Sequence, residues 1–424
     1  MLTGEAWKPR PNLFVGALLA NLEEVSPMRD AVIVDVVRTA SGRGKPGGAL
    51  SGVHPVDLLA TVLRELLNRN PFDAALIDDV IGGCVSQIGQ QALNITRNAV
   101  LAAGLPESVP ATSVDRQCGS SQQATHFAAQ GIIAGAYDIV IACGVESMSR
   151  VPMGSSASGQ DPFGAGLAER YPAGLVSQGI SAELIAAKWN LDRHALDQFA
   201  AQSHQRAAAA QAADKFAREI VPVTVLSADG DPSVHTVDQT IRAGTTIQGL
   251  GSLPSSFKDE RMTQRFPAIG WHITAGNSSP LTDGASAALI MEAETANRLG
   301  LTPRARFHTF AVAGDDPLFM LTGVMPATRK VLARSGLSMN DLDVYEVNEA
   351  FASVPLAWVA EFGADPSRLN PRGGAIALGH PLGASGTKLL CTLVNELEAT
   401  GGRYGLQTMC EGGGMANATV IEGL

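Results

Sequence analysis

One spacing, written twice, constrains the fold of this chain more than any other feature. Tyr137 stands six residues before Cys143, across the strand-like run Asp138-Ile139-Val140-Ile141-Ala142. Tyr404 stands six residues before Cys410, after Gly402-Arg403 as Tyr137 follows Gly135-Ala136. A helix-like stretch precedes each copy, and Cys118 lies 19 residues before Tyr137 as Ser385 does before Tyr404. Helix, glycine turn and strand repeated in this way describe a duplicated α/β unit, with Cys118 and Ser385 in equivalent positions of two facing halves.

The rest of the chain fits that unit. Residues 31–37 form a buried-strand run, 54–70 a helix with Pro55 near its start, 80–85 a second strand and 93–103 a second helix. Strands alternating with helices imply α/β layers around a largely buried sheet. Residues 151–180 are rich in Gly, Pro, Ser and Ala and read as irregular loop. Asp192 is placed to cap a helix running through Leu196, Phe199, Ser203 and the alanines at 207–210. The expected organisation is an N-terminal extension over 1–27, a first half over 28–150 plus 275–298, an inserted loop domain over 151–274 and a second half over 299–424.

Composition narrows the function classes. A hydrophobic content of 45% against 17% charged residues describes a compact chain with much buried surface. The net charge of −10 argues against wholesale nucleic-acid binding, so an anionic ligand needs local cations or helix N-termini. Five dispersed cysteines do not form a disulfide framework and suit a reducing, cytoplasmic setting. No apolar run approaches the about 20 residues that cross a bilayer, so no membrane partner is expected. Lys8, Arg10 and the apolar residues 13–20 faintly resemble a signal peptide, but Glu23 and Glu24 follow at once and no clear cleavage site does.

Four segments carry groups apt for chemistry. Cys118 lies in Val114-Asp115-Arg116-Gln117-Cys118-Gly119-Ser120-Ser121, where small polar residues lead into a helix. A thiol at a helix N-terminus is expected to have its pKa lowered, and the local N–H groups can hold an oxyanion. Asn348-Glu349 follows a strand-like run, where open α/β sheets place their sites. His380 sits in a glycine-rich stretch that lets backbone approach a ligand, with Ser385 placed to cap the next helix. Cys410 precedes Gly412-Gly413-Gly414 and is suited to proton transfer once tuned. Cys84, Cys143 and Cys391 read as packing residues, and no metal-ligand spacing is evident.

Taken together, Asn-Glu-Ala-Phe-Ala at 348–352, Gly-His-Pro-Leu-Gly-Ala-Ser-Gly at 379–386 and Cys-Glu-Gly-Gly-Gly at 410–414 resemble the thiolases, the acetyl-CoA acyltransferase family, over essentially all of 28–424. The resemblance implies a five-layered α/β/α/β/α fold from two similar halves with an inserted loop domain, assembled as a homodimer or homotetramer. It implies no cofactor, with acyl-CoA and CoA as the small-molecule partners. By matching position it makes Cys118 the acylated nucleophile, His380 its base and Cys410 the group that moves a proton at the substrate α-carbon. Asn348 would hold a water that forms, with His380, an oxyanion hole for the enolate. The N–H groups of Cys118 and Gly412 would form a second hole. Thr274-Ala275-Gly276-Asn277-Ser278-Ser279 matches the pantetheine-contacting loop and points to Ser279.

Departures from the family pattern bear on substrate. Asp115 stands where many thiolases carry Asn, and Pro280 where Gly often follows the pantetheine serine. Ser177-Gln178 occupies the place where acetoacetyl-CoA-specific members often have His-Met, which makes both substrate-contact candidates and favours a degradative 3-ketoacyl-CoA thiolase. The stretch from Cys84 to Cys118 is similar to bacterial members that handle bulky chains, sterol side chains included. Three alternatives stand beside this: a biosynthetic acetoacetyl-CoA thiolase, a non-catalytic acyl-CoA or lipid-binding relative, and a carrier-protein condensing enzyme. The last would lack Cys410 and the Asn-Glu-Ala-Phe motif.

Overall fold

The fold was analysed in a computed structural model that describes residues 29–226 and 230–424. The extension expected over 1–27 lies outside the described residues. At the centre is Ala31–Thr39, nine buried residues rich in β-branched side chains. It pairs antiparallel with Thr282–Glu292 on one edge and, through Val32↔Arg306 and Ile33↔Ala305, with Ala305–Gly314 on the other. From it the sheet runs outward through Thr282–Glu292, Ile139–Ser147, Asp79–Gly83 and Ala111–Val114 on one side. On the other side it runs through Ala305–Gly314, Met415–Gly423, Tyr404–Glu411 and Val344–Val347. Both sides are antiparallel near the centre and parallel at the rim.

A bulge at Val34 changes which side chains face which layer. Val32, Val34 and Val37 pack with Leu58, Leu59, Val62, Leu63 and Leu66 of the Pro55–Arg69 helix. Ala31, Ile33 and Val36 face inward with Ala124, Ala128, Ile132, Leu390, Leu393 and Val394. The inner residues belong to two helices, Ser120–Ile133 and Ser385–Thr400, which pack on each other between the two halves of the sheet. With Pro55–Arg69 covering one half and Val324–Ser335 the other, the layers run helix, sheet, helix, sheet, helix. Gly386 makes the central contact possible: a β-carbon there would lie 2.0 Å from the backbone nitrogen of Gln122.

The duplication is real but its register differs from the one the tyrosines suggest. A second bulge, between Phe307 and Thr309, matches the one between Ile33 and Asp35. Counting along the paired strands from these bulges makes Cys143, opposite Ala287, equivalent to Thr408, opposite Ala418. The helix starts agree, since Ser120 and Ser385 each precede the next strand, Ile139 or Tyr404, by 19 residues. Ser385 therefore corresponds to Ser120 and not to Cys118. The Tyr-to-Cys spacing misleads by two residues because Tyr137 lies before its strand and Tyr404 begins one.

Local expectations mostly hold. His54 caps the first helix through Nδ1, which accepts the Val56 N–H at 3.3 Å, and Asp192 caps Arg193–Ala212 by accepting the Ala195 N–H at 2.8 Å. Leu93 does not join the second helix, which is Ile95–Ala102. It sits in a left-handed conformation and is 90% exposed. The stretch read as loop over 151–180 contains a short helix, Gly164–Arg170, and the start of Gln178–Lys188.

Residues 151–274 are tied to the sheet by one buried cation. Arg38, on the central strand, donates from Nε to Glu219 at 2.8 Å and grips Asp238 at 2.8 and 3.0 Å, with no solvent exposure on any of the three side chains. Removing one partner from a buried ion cluster strands the others. Arg38→Met is expected to lower stability by about 3–5 kcal/mol at neutral pH. The deficit should narrow as the pH falls, because the stranded carboxylates of the variant can then bind protons in the folded state before they do when unfolded. Urea denaturation at neutral and mildly acidic pH measures this, and a pH-independent deficit would contradict it.

Candidate active site

The nucleophile candidate sits on a tight turn. Gln117, just before Cys118, has φ +48°, a left-handed backbone that a glutamine adopts only when its surroundings impose it. Those surroundings are visible. The Asp115 carboxylate accepts the Gln117 N–H at 2.7 Å, Ser120 Oγ accepts the Arg116 N–H at 2.9 Å, and the same hydroxyl donates to Gln117 O at 2.5 Å. Gly119 caps the Ser120–Ile133 helix, so Cys118 stands at its mouth, in an apolar pocket with Met148, Leu382, Leu389 and Met409.

Cys410 ends its strand beside this turn. The Cys118 and Cys410 sulfurs are close enough to interact electrostatically, and the N–H groups of Cys118 and Gly412 both point at the Cys118 sulfur. Asn348 Nδ2 lies 3.4 Å from His380 Nε2 and also reaches the Cys410 sulfur. Four of the sequence candidates thus meet in one buried site, with Cys118 the most exposed of them at 5%.

Electrostatics differ from expectation at Cys118. The helix mouth was expected to lower the Cys118 pKa, and the Cys118 and Gly412 N–H groups do pull it down. Burial and the neighbouring Glu411 outweigh them and push the thiol up to about 12. Cys410 is likewise raised by burial, then by Cys118 and Glu411. Burial, and then Lys388, holds His380 down to about 3, so the imidazole is neutral. Its tautomer follows from its partners. Ser385 Oγ donates to Pro381 O at 2.8 Å, so the 2.6 Å contact with His380 Nδ1 leaves the proton on Nδ1. Nε2 keeps its lone pair and faces Asn348. Ser385 therefore orients the imidazole and does not cap the helix that it begins.

Two buried glutamates hold the site's loops, Glu349 of the Asn348-Glu349 pair and Glu146. Glu146 accepts N–H groups from Val85 and Gly383 at 2.9 Å and from Ser86 at 3.1 Å, joining a strand end to the loop after His380. Glu349 accepts from Ser203 at 2.6 Å, Asn370 at 2.8 Å and Ile376 N–H at 3.1 Å, fixing the loop before it. The signal in sequence was Glu349's place inside the Asn-Glu-Ala-Phe run. Nothing local marked Glu146.

The Thr274-to-Ser279 loop lies against the Asn348 segment. Ser279 N–H donates to Ala350 O at 3.0 Å and Ala352 N–H to Asn277 O at 2.9 Å. Thr282 Oγ1 accepts the His380 N–H at 3.0 Å. Ala275, Gly276 and Ser278 border a cleft that Arg43 and Arg242 also line, and neither arginine was singled out in the sequence. Ser177 and Gln178 begin the Gln178–Lys188 helix, and hydrogen bonding brings neither to the Cys118 cluster. Ser177 lines a separate open cleft with Phe163, Leu167, Tyr171 and Val176. Among the described residues no group of His, Cys, Asp and Glu is arranged to hold a metal, and no helix is long and apolar enough to cross a membrane.

Residues 31–294 match the family model of the thiolase N-terminal domain and residues 301–423 that of the thiolase C-terminal domain. The chain belongs to the thiolase family. It is 47% identical to a steroid 3-ketoacyl-CoA thiolase of Mycobacterium tuberculosis, over 97% of this chain and 98% of that protein. It is 45% identical to a 3-ketoacyl-CoA thiolase of Serratia proteamaculans, over 93% of this chain and all of that one. A crystal structure of the Bacillus anthracis acetyl-CoA acetyltransferase superposes with a TM-score of 0.83 at 34% identity, covering 94% of this chain and 99% of that one. This thiolase is accordingly an acyltransferase, and the resemblance read in its motifs holds for family and fold.

The Ser385 contact yields a test. Ser385→Ala frees His380 Nδ1 and lets the proton move to Nε2, where it blocks the lone pair. The expected loss is about 10²-fold in kcat with KM little changed, since a mis-set acid–base group costs turnover before binding. Steady-state thiolysis kinetics measure it, and a variant within about threefold of wild type removes Ser385 from this role.

Proposed function

We propose that this thiolase cleaves 3-ketoacyl-CoA esters with CoA, giving acetyl-CoA and an acyl-CoA shortened by two carbons, in the degradative direction. The carrying observation is the convergence of two thiols, one neutral imidazole with an unprotonated Nε2 and one amide in a single buried site. The names of the relatives at 45–47% identity support the same reaction.

In this reading Cys118 attacks the 3-keto carbon while His380 Nε2 takes the thiol proton. The N–H groups of Cys118 and Gly412 hold the oxyanion. The C2–C3 bond then breaks, leaving an acyl group on Cys118 and the enolate of acetyl-CoA, whose oxygen faces His380 and a water held by Asn348. Cys410 gives its proton to C2, and its thiolate takes one from incoming CoA. The CoA thiolate attacks the acyl-enzyme, and Cys118 regains its proton from His380. Splitting the transfer through a covalent intermediate replaces one hard step with two easier ones. Raised thiol pKa values suit this scheme, because each thiol then stays protonated until the reaction calls for its proton.

Arg43 and Arg242, at the cleft beside the Thr274-to-Ser279 loop, would meet the phosphates of CoA, and Ser279, by its position in that loop, the pantetheine arm. The apolar cleft at Ser177 favours a bulkier acyl chain than acetoacetyl, and the name of the steroid-thiolase relative supports that class. The sheet ends on Ala111–Val114, directly before the nucleophile turn, which leaves an edge for pairing with a second copy in a homodimer or homotetramer. Five free, buried thiols suit the reducing cytoplasm.

CoA-dependent thiolysis across acetoacetyl, medium, long and sterol-derived 3-ketoacyl-CoA esters tests the proposal, followed by loss of the magnesium–enolate absorbance. Cleavage is expected to rise with acyl size and to vanish in Cys118→Ala. Turnover confined to acetoacetyl-CoA would point to a biosynthetic role, and none on any ester to a binding protein.

A further inference from the structure

The residue between Cys410 and Gly412 is unexplained by the reaction above. Glu411 is fully buried, and neither carboxyl oxygen makes a hydrogen bond of good geometry. Its Oε1 packs on the backbone of Gly119, the residue after the nucleophile: a β-carbon there would lie 1.9 Å from it. The same point is 2.4 Å from Asn417 Oδ1, another buried oxygen without a partner. Asn417 Nδ2 donates to Gln123 Oε1 at 3.1 Å, which turns the Asn417 oxygen toward Gly119 and Glu411. A carboxylate buried without a hydrogen-bond donor of good geometry is unfavourable unless it carries a proton. A protonated Glu411 avoids that cost and has the unpartnered Asn417 Oδ1 on the same side of Gly119.

We propose that Glu411 is a positioning residue for Cys118 that works as a carboxylic acid and disarms the nucleophile when it ionises. Neutral, it supports the Gly119 turn and leaves room for negative charge to develop on the Cys118 sulfur and on an oxyanion between the Cys118 and Gly412 N–H groups. Ionised, it is a like charge in a buried site and opposes both. After burial itself, Glu411 is the foremost influence that raises the Cys118 thiol.

The surrounding charges are few. Burial dominates and lifts Glu411 to about 9, Arg116 and then the Asn417 backbone N–H favour its ionised form, and Asp115 opposes it. Cys118 and Cys410 face it from the turn and from its own strand, Glu146 faces Cys118, and His126, held neutral, lies beyond Asn417. Below about pH 9 the acid form prevails and the nucleophile is available. As the pH rises through that value the carboxylate forms and the thiolate is resisted.

The inference rests on Cys118 being the nucleophile, and the test separates the two. Wild type and Glu411→Gln are alkylated with iodoacetamide across the alkaline range, with the Cys118 adduct quantified by mass spectrometry and thiolysis assayed on the same samples. The rate of the Gln variant relative to wild type is expected to rise about tenfold between roughly pH 7.5 and pH 10, because the amide cannot ionise. The wild-type curve should show a shoulder near pH 9. A rate ratio that does not change with pH, as a purely structural role would give, overturns the proposal. If the Gln variant does not fold, the wild-type curve decides: a shoulder supports the proposal and a single smooth titration overturns it. An inactive wild type with Cys118 unlabelled would instead fault the nucleophile assignment.

Discussion

The site depends on how closely two helices can approach. Ser120–Ile133 starts immediately after the Cys118 turn, and Ser385–Thr400 starts immediately after the Gly-His-Pro loop. Their mutual packing sets how Cys118 and His380 stand to each other. That packing has no slack, because Gly386 meets the backbone of Gln122 without a β-carbon between them. Thr387 N–H donates to Ser121 Oγ at 3.1 Å, and Gln122 Nε2 to Thr419 Oγ1 at 2.8 Å, so the contact has polar register as well as close fit. Rigid supports of this kind are what hold reacting groups in register.

Buried carboxyl groups do the rest of the positioning. Glu146 and Glu349 each gather donors from segments far apart in sequence, and each is raised by burial while its donors pull the other way. A loop rich in glycine has little conformational preference of its own. Several N–H groups converging on one buried acid replace that missing preference. The glycines at 379–386 thus supply close approach, and Glu146, through Gly383, supplies position.

Much of this was legible in the sequence, and the failures have physical causes. Strands such as Ala31–Thr39 declare themselves by composition, and caps such as Asp192 by local chemistry. Cys118, Asn348, His380 and Cys410 stood out because their neighbours are small, polar or glycine, which is unusual for buried positions. The register of the repeat was misread because β-bulges and strand starts are set by pairing, and a chain does not print its partners. The Cys118 pKa was misjudged for a related reason. The helix mouth is local and visible, whereas the desolvation and the Glu411 carboxyl that outweigh it arrive from a strand some 290 residues away. Arg43, Arg242, Glu146 and the Ser385–His380 contact were missed on the same ground, since their importance lies wholly in tertiary neighbours.

These corrections change how the resting site should be pictured. A helix mouth, a low-pKa thiolate and an imidazolium would make an ion pair waiting for substrate. The structure has instead a protonated Cys118, a protonated Cys410 and a neutral His380 with its lone pair on Nε2. In the proposed reaction, charge separation is therefore deferred until the substrate carbonyl can receive it. In that scheme the donors at Cys118 and Gly412 are most useful when an oxyanion exists and least useful before, which is the condition for an interaction to lower the barrier and not merely tighten binding. Burial, which makes each isolated charge costly, makes the same donors strong once charge appears.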